Sequence, residues 1–338
     1  MAIPELQGVP VLVTGGAGFI GSHLTDELVG LGARVRVLDD FSTGSRENLA
    51  QLAGSIELLE GDLRDPETCR RAAEGARLVF HQAALGSVPR SMADPATTIA
   101  VNVAGTANLF AAARDAGVAR VVYASSSSVY GDSDRLPKRE GEEGRPLSPY
   151  ALSKAMDEEL AQVFAAAFGQ ELVGLRYFNV YGPRQSPEGP YAAVVPGFFA
   201  ACRAGRPPRI HGDGEQSRDF TFVADAVRAN LLAAAAPSDA CGRAYNVAGG
   251  RRTTINELAR EIRSLVGSGP VPVHAEPRPG DVRHSAADLA AAAQALGYRP
   301  EVELREGLER TASAFGRAVR PRVRPRGPLG PAATEGAP

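Results

Sequence analysis

Tyr150-Ala151-Leu152-Ser153-Lys154 places a phenol and an ammonium four residues apart, a spacing that puts both on one face of a helix. An ordinary phenol titrates near ~10 and is a poor base at neutral pH. A neighbouring cation favours the phenolate, which suits the pair for general acid–base work. Upstream, Ser125-Ser126-Ser127-Ser128-Val129-Tyr130-Gly131 lines up four hydroxyls where a strand should end. A polar turn explains one or two of these serines better than it explains four. The carboxyl end of a central parallel strand is also where doubly wound sheets bind ligands.

A second group of residues is suited to phosphate. Gly15-Gly16-Ala17-Gly18-Phe19-Ile20-Gly21 follows a β-rich run and opens a helical one, and it satisfies both GxGxxG and GxxGxxG. Glycines there allow a tight turn and let a dinucleotide pyrophosphate approach the free N–H groups of a helix N-terminus. Asp39 closes the second β-rich run. Its carboxylate suits the ribose hydroxyls and would repel a 2′-phosphate, and no arginine stands directly beside it, so NAD is expected over NADP. Asp62, in Gly61-Asp62-Leu63, is placed either to receive an adenine amino group or to stay a solvated loop acid.

These residues need a scaffold. Val9–Thr14, Arg34–Asp39, Ile56–Glu60, Leu78–His81 and Val121–Ser125 read as strands, most of them continuously apolar, as in a parallel sheet covered on both faces. Helical stretches over Ile20–Leu31, Pro66–Ala73 and Asp94–Ala116 lie between them, and the alternation predicts a doubly wound α/β sheet. A helix from Tyr150 to Phe168 and a strand at Leu172–Tyr177 follow. Beyond Gly182 the alternation weakens, with shorter helices near Val223–Ala236 and Thr254–Val266. The expected organisation is a nucleotide-binding domain over 1–182, with its sheet completed by later segments, and a smaller α/β substrate lobe over 183–317. The last part, 318–338, should be a disordered Pro/Arg-rich tail.

Bulk properties narrow the function. The formal net charge of −2 gives no footprint for nucleic acid or an anionic membrane. Cys69, Cys202 and Cys241 form no CxxC, and His23, His81, His211, His274 and His284 show no zinc spacing. No metal is expected. The N-terminus shows no signal segment and no apolar run is read as long enough to span a bilayer, so a cytoplasmic protein is expected.

Several stretches in order resemble the extended short-chain dehydrogenase/reductase family, with its Rossmann-type fold, and within it the NAD-dependent nucleotide-sugar epimerases. They are Thr14–Gly21, His81-Gln82-Ala83-Ala84, Asn102-Val103-Ala104-Gly105-Thr106, the serine run, Tyr150-x-x-x-Lys154, Arg176–Arg184, Gly212-Asp213-Gly214 with Arg218-Asp219-Phe220, and Arg278-Pro279-Gly280-Asp281. The similarity runs from about Pro10 to about Gly307. It implies Tyr150 as catalytic base, Lys154 on the nicotinamide ribose, and Ser126 on the reacting sugar oxygen, with Ser127 and Ser128 beside it. It implies cofactor contacts from Gly15, Gly18, Phe19, Ile20, Gly21, Asp39, Asp62, Leu63, Ala83, Asn102 and Tyr177. It places Asn179 and Arg218 on diphosphate and sugar, Ile210 and His211 on the uracil, and Arg278 and Asp281 near the diphosphate and uridine ribose.

The implied reaction is C4 inversion on a UDP-sugar through a transient 4-keto state, with NAD restored each cycle. Dehydratases of the family carry an acid pair where this chain has Ser126-Ser127-Ser128, which disfavours elimination. A non-catalytic NAD-binding sensor would be expected to lack Tyr150 and Lys154. The stretches His81–Ser91 and Tyr191–Val194 look most similar to UDP-N-acetylglucosamine 4-epimerases. Ser285, where enzymes restricted to non-acetylated sugars often carry tyrosine, leaves room for an acetamide. UDP-glucose/UDP-galactose is the alternative. UDP-glucuronate comes third, since uronate enzymes commonly show threonine at the position of Asn179. The resemblance also implies a homodimer built on helices Asp94–Ala116 and Tyr150–Phe168.

Overall fold

Leu12, Val13, Val79, Phe80, Val121 and Val122 are all withdrawn from water, because helices cover both faces of the sheet that contains them. The computed structural model describes residues 5–187, 193–267, 269–277 and 282–315. In chain order the first strands are β1 (Pro10–Thr14), β2 (Arg34–Asp39), β3 (Ile56–Glu60), β4 (Leu78–His81), β5 (Arg120–Ser126) and β6 (Leu172–Tyr177). Among the described residues they join Arg243–Val247 in a seven-stranded sheet ordered Arg243–Val247, β6, β5, β4, β1, β2, β3. Every pairing in it is parallel. The chain winds outward through β2 and β3, then restarts at β4 on the other side of β1. The strand ends diverge there, and this switch point is the natural place for a ligand.

Helix α1 (Phe19–Gly30) packs one face of the sheet with helices Val223–Ala235 and Ala290–Leu296. Helix α2 (Pro66–Ala73) packs the other with Gly105–Asp115 and Pro149–Phe168. Segments well beyond residue 182 therefore belong to the sheet and its helical layer. A further apolar cluster gathers Val195, Phe198, Phe199, Ile210, Leu258 and Ile262.

Three expectations need correction. The stretch read as one helix over Asp94–Ala116 is helical in three parts: Pro95–Ile99, a π-helical Ala100–Ala104, and Gly105–Asp115. The wider π turn carries Asn102 into the interior, as such turns often do beside functional sites. This same run is long and apolar enough, by length and composition, to cross a bilayer, contrary to the reading that no run reaches that length. Its buried residues Thr106, Leu109, Phe110 and Ala113 pack against α2 and Pro149–Phe168, which accounts for the apolarity of that face. The helix bearing Tyr150 starts one residue early, at Pro149, because Ser148 caps it by accepting from the Ala151 N–H (3.1 Å) and proline suits a first helical position.

Candidate active site

A cleft of about 480 Å³ opens at the switch point, within the range of small-molecule sites. At one end it is walled by the glycine turn after β1, Asp39 and Asp40 at the end of β2, and Asp62 and Leu63 after β3. At the other it is walled by Ser125, Ser126 and Ser127 at the end of β5, Tyr177 and Asn179 at the end of β6, and Tyr150 and Lys154. Phe19, Ile20 and Ala83 lie between. Residues from seven chain segments thus meet in one space.

The dinucleotide end fits NAD by geometry. Gly15 has φ +68, and a Cβ there would stand 2.6 Å from the backbone nitrogen of Ala83. A Cβ on Gly21 would stand 2.0 Å from the Gly15 carbonyl oxygen. Only glycine lets this turn close against both the β4 turn and α1. The first turn of α1 has no side-chain cap and no acidic residue, so its N–H groups face the cleft without a competing anion. Asp39 is buried and accepts from the N–H groups of Ala17 (2.8 Å) and Phe41 (2.9 Å). Burial pushes its carboxyl upward while those two amides hold it down. Two donors leave lone pairs on a carboxylate for ribose hydroxyls. Arg46 stacks over Phe41 at 4.0 Å but its guanidinium is paired with Glu60. Asp62 is held below the usual carboxylate range by its hydrogen bond from Arg64.

At the chemical end, the four serines divide their work. Ser125 donates to Glu158 Oε1 (2.5 Å). Ser126 Oγ accepts from the Ser128 N–H (3.2 Å) and faces the cleft beside Ser127. Ser128 does not line the cleft, and its buried Oγ has no hydrogen-bond partner among the described residues. Glu158 is held bidentately by Arg176, at 2.9 and 2.7 Å. Since Ser125 and Arg176 are register partners on β5 and β6, this buried cluster ties the Tyr150 helix to the strand that ends in Ser126. Lys154 Nζ donates to Asp157 Oδ2 (3.0 Å).

Other expected residues sit outside the cleft lining. Asn102 is fully buried. Its Oδ1 accepts from the Leu85 N–H (2.8 Å) and its Nδ2 donates to Ser153 Oγ (3.0 Å), so it braces the wall from behind while Val101 lines it. Ile210 packs among Val195, Phe198 and Leu258 in the third apolar cluster. His211 lines a separate groove with His274, Glu276 and Arg283, its Nδ1 at 3.0 Å from the Glu276 carbonyl oxygen. Arg218 bonds the Ser217 carbonyl (2.9 Å), and the Ser285 N–H donates to that same carbonyl oxygen (3.0 Å), so the two are neighbours. Arg278, Asp281 and Tyr191 lie outside the described residues. Sequence reasoning missed Gln82 and Gln185 as lining residues, and Asp157 and Glu158 as the partners of Lys154 and Arg176. The i, i+4, i+8 spacing of Tyr150, Lys154 and Glu158 was the available signal for the last.

Residues 11–248 match the NAD dependent epimerase/dehydratase family. The chain is 41% identical to a UDP-glucose 4-epimerase of Mycolicibacterium smegmatis over 308 residues, covering 90% of this chain and 97% of that one. Among solved structures it resembles the Thermotoga maritima UDP-glucose 4-epimerase with UDP-glucose, at 38% identity and TM-score 0.87, covering 91% of this chain and 99% of the other. It equally resembles the Methanobrevibacter ruminantium UDP-N-acetylglucosamine 4-epimerase in complex with UDP-N-acetylmuramic acid, at 38% identity and TM-score 0.87, over 92% and 99%.

Proposed function

Because this chain belongs to the NAD dependent epimerase/dehydratase family, we propose that it inverts C4 of a UDP-sugar, with UDP-N-acetylglucosamine and UDP-N-acetylgalactosamine as its pair. One observation carries the choice of epimerisation over elimination. Among the described residues, the carboxylates lining the cleft are Asp39, Asp40 and Asp62, all at the ends of β2 and β3. The carboxylates behind the serine run, Asp157 and Glu158, are committed to Lys154 and Arg176, and Glu143 pairs with Arg176 as well. Among the described residues no acid stands ready to protonate a departing hydroxyl.

The glycine turn, Asp39 and Asp62 would hold NAD, which supplies a reversible hydride acceptor when bound. The chain does the rest. Tyr150 Oη takes the proton of the C4 hydroxyl and later returns one to the inverted oxygen. Ser126 Oγ, which accepts from Ser128 N–H, still has its own hydroxyl hydrogen to give to the reacting oxygen. Lys154 supplies a cation one helical turn from the phenol. The 4-keto sugar turns over between these events.

The N-acetylated sugar is favoured by the small residues Ala84 and Gly86 that line the cleft and by the resemblance at residues 81–91 and at Ser285. UDP-glucose is the second reading, favoured by the M. smegmatis relative. Specificity constants for UDP-N-acetylglucosamine, UDP-glucose and UDP-glucuronate, measured with no added NAD, test the choice. The N-acetylated sugar should be turned over best, and turnover of UDP-glucose alone would replace it with the second reading.

A homodimer is part of the same proposal. Leu152, Met156 and Val163 are 45, 38 and 57% exposed along one side of helix Pro149–Phe168, with Val88 and Met92 exposed on the neighbouring short helix Val88–Ala93. Contact between these elements gives a second copy an apolar surface to cover.

A further inference from the structure

Tyr177, at the end of β6, is locked in a closed ring of hydrogen bonds. Its hydroxyl donates to Gln82 Oε1 (3.2 Å) and accepts from Asn230 Nδ2 (2.7 Å), while Gln82 Nε2 donates to Asn230 Oδ1 (3.0 Å). The three side chains come from β6, the turn after β4, and helix Val223–Ala235. Tyr177 and Gln82 line the cleft; Asn230 lies behind them, with no exposed surface.

The ring runs in one sense only. Asn230 Nδ2 also donates to the Ala226 carbonyl (2.8 Å), a group that can only accept. This fixes which end of the Asn230 amide is nitrogen. Its Oδ1 must then face Gln82, which has to present Nε2 there and Oε1 to Tyr177. Reversing any one member would set donor against donor or acceptor against acceptor. Burial pushes the Tyr177 hydroxyl well above the ordinary phenol range, with the two amides opposing, so it keeps the proton it donates.

We propose that Asn230 is a positioning residue of the cofactor cleft: it holds Gln82 and Tyr177 in one hydrogen-bonding orientation and so presets the wall that NAD meets. The inference rests on the NAD site and not on the identity of the sugar. With Asn230 replaced, the Gln82 amide is free to flip and the Tyr177 hydroxyl to turn, and NAD has to order both on binding.

The test is NAD release from the purified protein, followed by cofactor content after gel filtration and by dissociation rate, with no UDP-sugar present. Asn230→Leu keeps the branched shape and removes both ring contacts. It should release NAD roughly tenfold faster, the scale of one or two net hydrogen bonds. Asn230→Asp keeps the acceptor for Gln82 and loses the donor to Tyr177, so it should fall between, and it serves if the leucine variant does not fold. Tyr177→Phe in the Asn230→Leu background should add little, since the ring is already open. Wild-type NAD retention in both Asn230 variants, or losses that simply multiply in the double variant, would overturn the proposal. A protein that holds NAD as described but epimerises no UDP-sugar leaves it standing.

Discussion

Lys154 and Asp157 form an ion pair of 3.0 Å, three residues apart on one helix, with side chains only 2 and 1% exposed. Burial pushes the Asp157 carboxyl up to about 6, against the pull of Lys154. The carboxylate is the buried counter-charge that lets an ammonium stand beside Tyr150. Removing one partner of such a pair leaves the other charged and dry. Asp157→Leu should therefore destabilise the protein by ~3–5 kcal/mol in denaturant unfolding, and Asp157→Asn by less. A loss below ~1 kcal/mol for the leucine variant would show that Lys154 finds another partner.

His81 gives a pH signature. Its ring bridges Thr14 Oγ1 (2.7 Å) and Thr106 Oγ1 (2.9 Å), fastening the ends of β1 and β4 to the Gly105–Asp115 helix. Burial, then the charge of Lys154, push it down to about 3 from 6.5, so it is neutral when folded. Below pH ~6.5 the unfolded chain binds a proton that the folded one refuses. Stability from this group is full above that pH and is lost as pH falls towards 3. The stability advantage of wild type over His81→Gln should shrink by up to ~1.4 kcal/mol per pH unit below about 6.5. The comparison is needed because Asp157 and Asp219, both raised to about 6, act in the opposite sense. A pH-independent difference would mean that His81 titrates when folded.

Much of this site was legible in the sequence because its signals are local. The bounds of β2, β3, β4 and β6 follow from their apolar runs, and the glycine turn is fixed by a spacing within seven residues. What stayed hidden depends on contacts across the fold. The family resemblance implies Asn102 as a cofactor contact, but a π turn rotates it inward onto Leu85 and Ser153. The four serines look equivalent in a row, yet only register with β6 and the reach of Glu158 give Ser125 a structural task. Asn230 lies 148 residues from Gln82, and no periodicity announces that partnership.

Ser285 tests substrate size through one side chain. It adjoins Arg218 through Ser217 and is not among the residues lining the central cleft, so its part depends on where the sugar's C2 substituent lies. If it borders that group, Ser285→Tyr overpacks the site at ~1–3 kcal/mol. The ratio of N-acetylated to non-acetylated activity should then fall about 5- to 150-fold. An unchanged ratio removes Ser285 as the gate.

The exposed side of helix Pro149–Phe168 predicts assembly. Sedimentation should show a dimer that weakens on dilution, and Met156→Glu with Val163→Glu should shift it towards monomer by placing unpaired charge in the contact. A monomer at every concentration contradicts the dimer.

The most direct measurement is proton NMR of UDP-N-acetylglucosamine in D2O with the purified protein and no added NAD. Conversion to the C4 epimer is expected with the carbon-bound hydrogen at C4 retained, because that hydrogen leaves and returns without meeting solvent. Tyr150→Phe should slow that conversion by roughly 10²–10⁴-fold, the usual scale for loss of a general acid–base group, while its NAD content stays that of wild type. Deuterium appearing at C4, a dehydrated product, full activity in Tyr150→Phe, or no epimer from any UDP-sugar would contradict this mechanism.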